Sequence, residues 1–226
     1  MPDAYMPGLS QAVGRRMHIP EPDEDTGRRW SIGPLQVWWS AYPMRGSGEP
    51  LARPLLENWF ALPAGTLPLA RDARGRPRLH GPLAGHDVGW SHSAQGLLLA
   101  TAPGVELGTD LERLRPRPNA LALAERYFAP DEAQALTAVP EAVREMAFLR
   151  LWCAKEAVLK AHGHGISFGL ERLAFAPMDT ATLDAGPLRL VACDAALGAP
   201  DDWSLHQWQP RPEYLAAVAW RRRPGD

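Results

Sequence analysis

The sequence predicts an α+β fold, and three observations carry that reading. One long helical run, EAVREMAFLRLWCAKEAVLKAH (141–162), begins just after Pro140 and is stopped by Gly163. Several short runs alternate apolar and polar residues, as half-buried strands do. These strands read as antiparallel neighbours beside that one helix, so each half of the chain is expected to hold a small sheet and a helix.

Residues 1–32 are polar, rich in proline and charge, and without sustained periodicity, so a loosely ordered extension is expected there. An N-terminal lobe should follow over 33–104 and a C-terminal lobe over 105–226. In the first lobe LQVWWSAY (35–42) reads as the first strand and LARPLLENWFAL (51–62) as a short helix despite Pro54. RDARGRPRLHGPLAG (71–85) is a basic turn region. DVGWSHS (87–93) and GLLLATA (96–102) form a hairpin. The second lobe opens with the strand VELGTDLER. Asn119 is placed to cap a helix ALALAERYF, and Pro130 starts another short one. After the long helix come strand-like ERLAFA, LRLVACD, WSLHQWQ and YLAAVAW.

Composition narrows the function. Of 226 residues 46% are apolar, and the formal net charge is −2. That balance gives no general attraction to nucleic acid or an anionic membrane surface, so anions must be held by local clusters. Two cysteines, Cys153 and Cys193, are too few for a disulfide framework or a cysteine-rich zinc site. No apolar run approaches the roughly 18 residues that span a bilayer, and the N-terminus does not read as a signal peptide. A cytoplasmic protein is expected.

The chemistry concentrates in two places. In VELGTDLER, Val105, Leu107, Thr109 and Leu111 alternate with Glu106, Gly108, Asp110 and Glu112. Asp110 and Glu112 therefore share the face away from the core, their Cα atoms about 6.5–7 Å apart. On the long helix Val143, Ala147, Leu151, Ala154, Val158 and Ala161 form a core stripe, while Trp152, Glu156 and Lys160 share another face. Read separately, these are a solvated strand face and a surface ion pair. Read together, three carboxylates without Cys or His suit a hard cation such as Mg²⁺, and the lysine one turn on supplies charge for a phosphate. His162 and His164 have a metal-like spacing but no third His or Cys nearby, so they read as incidental.

GTDLER followed by WCAKEAVLKAHGHGISF resembles the two signature motifs of the Sfp-type 4′-phosphopantetheinyl transferases. Gly108, Asp110, Glu112, Trp152, Lys155, Glu156, Ala157, Lys160, Gly163 and Gly165 match every defined position. ERYFAPDEAQAL resembles the segment linking the motifs, and GRP (75–77) and SHS (91–93) resemble the family's coenzyme A phosphate contacts. The likeness spans about residues 75 to 175.

That resemblance implies two similar lobes in one chain working as a monomer. It implies transfer of phosphopantetheine from coenzyme A to a serine of an acyl or peptidyl carrier protein, releasing adenosine 3′,5′-bisphosphate. Asp110, Glu112 and Glu156 would hold Mg²⁺, Glu156 would take the serine proton, and Lys160 would steady the phosphate oxygens. Arg76 would meet the 3′-phosphate, Ser91 and His92 other coenzyme A phosphates, and Lys155 and Lys160 would complete the grip. Leu114 and Arg126 to Phe128 are candidate carrier contacts. The match thins in the first half, where the family's basic helix is replaced by a span carrying only Arg45 and Arg53 before Arg71, so three alternatives stand for the nucleotide grip: it is reduced, it is rebuilt by Arg28 or Arg29 from the extension, or it is completed on carrier binding. Two rivals predict other outcomes: a catalytically weak carrier-binding relative, without turnover, and a metal-dependent phosphohydrolase, hydrolysing without a carrier.

Overall fold

The computed structural model describes residues 27–42, 46–177 and 182–223. Their first strand is β1 (Arg28–Ile32), paired antiparallel with β2 (Leu35–Ala41). The expected extension to residue 32 is therefore too long: residues 28–32 are sheet, while 1–26 lie outside the described residues. The period-two signal is only two residues deep, Trp30 and Ile32, which lean on the core between charged or polar neighbours. Gly33, at φ 54°, and Pro34 make the tight turn.

Helix α1 (Glu49–Trp59) starts two residues before the expected boundary, with proline in its first turn and Pro54 inside it. Strands β3 (Leu69–Arg71) and β4 (Pro77–Leu79) pair across the basic turn. β5 (His86–Ser93) and β6 (Gly96–Pro103) form the expected hairpin. The four-stranded sheet runs β1-β2-β6-β5. β6 is central and buried on both faces, which is why its sequence is nearly all apolar.

β7 (Val105–Arg113) opens the second half. Helices α2 (Ala120–Tyr127), α3 (Pro130–Ala138) and α4 (Glu141–His162) follow. β8 (Leu173–Pro177) pairs with β9 (Leu188–Cys193), and the chain returns through β10 (Ser204–Trp208) and β11 (Tyr214–Arg222). The second sheet runs β10-β11-β7, antiparallel throughout. Asn119 precedes α2, but its side chain makes no capping hydrogen bond.

Three apolar clusters hold the layers together. α1 covers one face of the first sheet through Ala52 and Leu56, against Trp38, Val88, Leu97 and Leu99. α4 covers one face of the second through Ala154, Val158 and Ala161, against Ala217 and Ala219. The remaining faces of the two sheets meet: Val37, Leu98 and Ala100 against Leu107, Leu111, Ala216 and Val218.

The second half of α4 is buried almost all round, more than the predicted stripe required, and polar residues there must find partners inside. Lys155, fully buried, pairs with Glu132 Oε2 at 2.6 Å and donates to the carbonyls of Leu170 and Leu173. Glu132 also accepts from the Phe175 amide at 2.9 Å. Glu132→Gln strands the Lys155 ammonium, and a loss of about 3–5 kcal/mol in denaturant unfolding is expected. Adding Lys155→Met to it should restore most of that; if the double variant stays as weak, the pair is not the cause.

Candidate active site

α4 lies so close on β7 that Gly108 has no room for a side chain: a Cβ there would run into the Ala157 carbonyl oxygen and the Ala161 amide nitrogen. This contact decides what surrounds the acids. Asp110, next on the same strand face, is buried under the helix at 3% exposure, and Glu112 is half-buried. The expected solvent-side face of β7 is thus a helix-covered one, because the strand has core on both sides.

Lys160, in the last turn of α4, reaches back to Asp110 Oδ1 at 2.6 Å and to Ser91 Oγ at 3.2 Å. Ser91 in turn donates to Asp110 Oδ1 at 3.2 Å. Burial opposes the lysine's charge, but Asp110 and Glu156 outweigh it and hold its ammonium above the usual value. Glu156, one helical turn earlier and 5% exposed, joins the same group. Burial pushes its carboxyl up to about 7, against the pull of Lys160 and with the charges of Asp110 and Glu112 adding to the rise. Glu112 is raised too, by burial and then by Asp110, although Arg117 bonds its Oε2 at 2.6 Å. Cys153 borders the acids, and burial first, then Asp110 and Glu112, keeps its thiol protonated.

Two buried oxygens here, Asp110 Oδ2 and Glu156 Oε1, have no hydrogen-bond partner. Stranded carboxylate oxygens beside Glu112 and Glu156, whose carboxyls burial and like charge push up, are what a bound cation relieves. The donor set is all oxygen, which suits a hard ion such as Mg²⁺. No three acid, His or Cys side chains are already gathered as a metal cage among the described residues; Lys160 engages Asp110 and Arg117 engages Glu112. Asp110, Glu112 and Glu156 are the residues that would hold the ion.

A cleft of about 260 Å³ runs beside this group, walled by Arg74–Pro77, Val88–Trp90, Leu107–Thr109, Lys160 and Gly163–Gly165. A roomier cavity of about 500 Å³, between Arg150, residues 184–188 and β10, contains none of the acids.

The other predicted contacts divide. Ser91 is brought to Asp110 and Lys160. His92 projects from the opposite face of β5, exposed, and lies against Tyr42 with ring centres 5.2 Å apart, so it does not join that network. Lys155 does not reach the cleft: one residue from Glu156 is about 100° around the helix, and it points into the C-terminal core. Arg76 does wall the cleft, but its guanidinium is spent inside the protein. It pairs with buried Asp87 and donates to the carbonyls of Leu107 (2.9 Å) and Lys160 (2.7 Å). Asp87, whose carboxyl burial pushes up against the pull of Arg76, also accepts the Leu107 amide at 2.8 Å. Arg76 and Asp87 thus bind the basic turn, β5, β7 and α4 into one frame. Sequence reasoning passed over Asp87 and Arg117. Asp87 shares a strand face with Ser91, four residues on, which was the available signal.

Comparison with known proteins places the chain in a family. Residues 106–219 match the family described as the 4′-phosphopantetheinyl transferase superfamily. The chain is 32% identical over 176 residues to 4′-phosphopantetheinyl transferase HetI of Nostoc sp., covering 76% of this chain and 68% of the relative. It is 35% identical over 123 residues to 4′-phosphopantetheinyl transferase psf-1 of Bacillus pumilus, covering 54% and 51%. A putative 4′-phosphopantetheinyl transferase of Synechocystis sp., slr0495, is 43% identical over 83 residues, covering 37% and 34%. No described helix is long and apolar enough to cross a membrane. The matched span holds β7 and α4, the elements that bring Asp110, Glu112, Glu156 and Lys160 together, and the chain belongs to the 4′-phosphopantetheinyl transferase superfamily.

Proposed function

We propose that the chain transfers 4′-phosphopantetheine from coenzyme A to a serine of an acyl or peptidyl carrier protein, with Mg²⁺. The observation that supports it best is the grouping of Asp110, Glu112, Glu156 and Lys160 beside a cleft, with two buried carboxylate oxygens left unbonded. The ion, when bound, would neutralise charge on the pyrophosphate.

The chain's own residues would do the rest. Glu156, directly or through a water, takes the proton of the carrier serine as its oxygen forms a bond to the pantetheine-side phosphorus. The bond from that phosphorus to the bridging oxygen breaks, and adenosine 3′,5′-bisphosphate leaves with the electron pair. Lys160 offers its ammonium to the bridging and leaving oxygens, where negative charge grows. Ser91 and Asp110 hold that ammonium in place meanwhile. No covalent intermediate with the protein is required; positioning and charge suffice.

The test is incubation with coenzyme A, Mg²⁺ and a panel of apo carrier proteins of fatty-acid, polyketide and peptide-synthase type, each weighed by mass spectrometry. Gain of one phosphopantetheine on a carrier is expected. Carrier binding without mass gain would favour a non-catalytic relative, and coenzyme A breakdown without a carrier would favour a phosphohydrolase.

A further inference from the structure

Glu112 is the outermost of the three acids that would hold the ion. Asp110 is buried and engaged by Lys160 and Ser91, and Glu156 is buried in α4. Glu112 lies near the end of β7, half-buried, and the bond it accepts from Arg117 is its tether. We propose that Arg117 is a positioning residue for the metal site, holding the Glu112 carboxylate ready to meet a divalent cation together with Asp110 and Glu156; this rests on the transferase reading above.

Three observations lead there. First, the bond is short and shielded. Arg117 Nη2 lies 2.6 Å from Glu112 Oε2, and the two side chains are only 18% and 21% exposed. An ion pair open to water does little to fix either partner, and Arg172 with Asp194, at 3.1 Å and with 51% and 34% exposure, is of that kind. A charge-assisted bond at 2.6 Å, largely out of water, orients the carboxylate it reaches.

Second, stability is not what this arginine supplies. Its Nε is buried with no hydrogen-bond partner, and a buried donor left unpaired is destabilising. A side chain selected to hold the fold would have its donors satisfied. A local violation of that rule is characteristic of functional sites, and here it accompanies a guanidinium turned toward a metal-ligand candidate.

Third, the loop that presents Arg117 is stiff. Arg117 stands between Pro116 and Pro118, whose rings fix their own backbone and restrict the residue before each. The Leu114 amide donates to the Glu213 carbonyl at 2.8 Å, and the Arg117 carbonyl accepts the Ala120 amide at 2.9 Å where α2 begins. A guanidinium offered from a loop fixed at both ends loses little freedom in holding Glu112.

Charge and position predict opposite effects, which separates them. As a bare positive charge beside three acids, Arg117 would repel a cation, and removing it would tighten ion binding. As a tether it keeps a ligand oriented, and removing it weakens binding; partners that orient ligating side chains typically contribute about 10–100-fold to metal affinity.

The test is titration of wild type, Arg117→Gln and Arg115→Gln with Mn²⁺ in place of Mg²⁺, the free ion read by electron paramagnetic resonance. Arg115 is exposed in the same loop, so its variant removes an equal charge and leaves the tether. Arg117→Gln should bind Mn²⁺ about tenfold or more weakly, and Arg115→Gln at least as tightly as wild type. The half-saturating Mg²⁺ for carrier modification should rise by the same factor in Arg117→Gln, with the rate recovering at high Mg²⁺. Melting temperatures check that the variants are folded; Arg117→Met, which keeps apolar bulk in the loop, carries the same expectation if the glutamine variant is unstable. Unchanged or tighter binding by the Arg117 variants, or equal weakening in Arg115→Gln, overturns the assignment and leaves the transferase reading intact. Wild type that modifies a carrier but binds no Mn²⁺ overturns the assignment alone. Wild type that does neither removes both.

Discussion

Glu156→Gln should abolish measurable transfer, lowering the rate on the order of 10²–10³-fold or more, while leaving the fold as stable as before. Glutamine keeps the size and shape of the side chain and removes only its charge and its capacity to accept a proton. On balance the resting protein gains little from that charge: Glu156 is buried, its Oε1 is unbonded, and burial pushes its carboxyl up to about 7 despite the attraction of Lys160. A neutral amide in its place should hold or raise the melting temperature. Single-turnover formation of holo-carrier, followed by mass, and thermal unfolding of the same sample measure both halves. Retention of more than about a tenth of wild-type rate would contradict the assignment of Glu156, since lost catalytic charge stabilisation costs more than that. The contrast with Glu132→Gln is instructive. Both are buried acids in one half of the molecule, yet one substitution should remove activity and spare the fold, and the other should do the reverse.

Gly108→Ala should be among the most damaging single-atom changes in the chain. Gly108 has an unexceptional φ, so its requirement is room and not conformational freedom. The new methyl would strike backbone atoms of α4, at Ala157 and Ala161, with the Ala161 Cα only 3.1 Å away, and backbone cannot step aside as a flexible side chain can. The helix must then lift from β7. Overpacking of this kind costs about 1–3 kcal/mol, and contact with two backbone atoms puts Gly108→Ala at or above the upper figure. The same lift pulls Lys160 from Asp110, now 2.6 Å apart, so transfer should fall even in the fraction that folds. Denaturant unfolding and transfer rate measure the two effects. Gly85→Ala is the matched control: no atom lies within 4 Å of where its methyl would sit, and a change within about 0.5 kcal/mol is expected. If the two variants behave alike, close packing of α4 on β7 is not what Gly108 provides.

Much of this was legible beforehand because it is local. Helix α4 has the bounds its proline and glycine announced, and β7 is the strand its alternation drew. The acids and lysine could be grouped because helical and strand periods say which side chains share a face. What was hidden depends on partners far away in sequence. Nothing near Lys155 reveals that Glu132 waits for it in the core, so it looked as available as Lys160. Arg76 looked like a phosphate ligand for the same reason, because Asp87 and two distant carbonyls claim it only after folding. The contact of His164 with Arg74 was hidden likewise, since Arg74 is ninety residues earlier in the chain. β1 was missed because two apolar residues among arginines are too short a signal for a strand that its partner, not its own propensity, makes stable.

The sheet orders carry one more consequence. β5 ends the first sheet and β7 ends the second, and each would by itself present a row of unpaired backbone groups. Instead they lie side by side, and β7 amides are satisfied by side chains from β5: Leu107 N–H by Asp87 and Arg113 N–H by Ser93. Exposed strand borders recruit foreign strands and seed aggregation, a hazard natural proteins suppress by covering them. Here the two borders shield each other, and the strand bearing Asp110 and Glu112 is out of reach of an invading peptide. Part of the protection against self-association is therefore built from Asp87, which also holds Arg76 on the cleft wall, so a change at Asp87 would be felt in solubility as well as in catalysis.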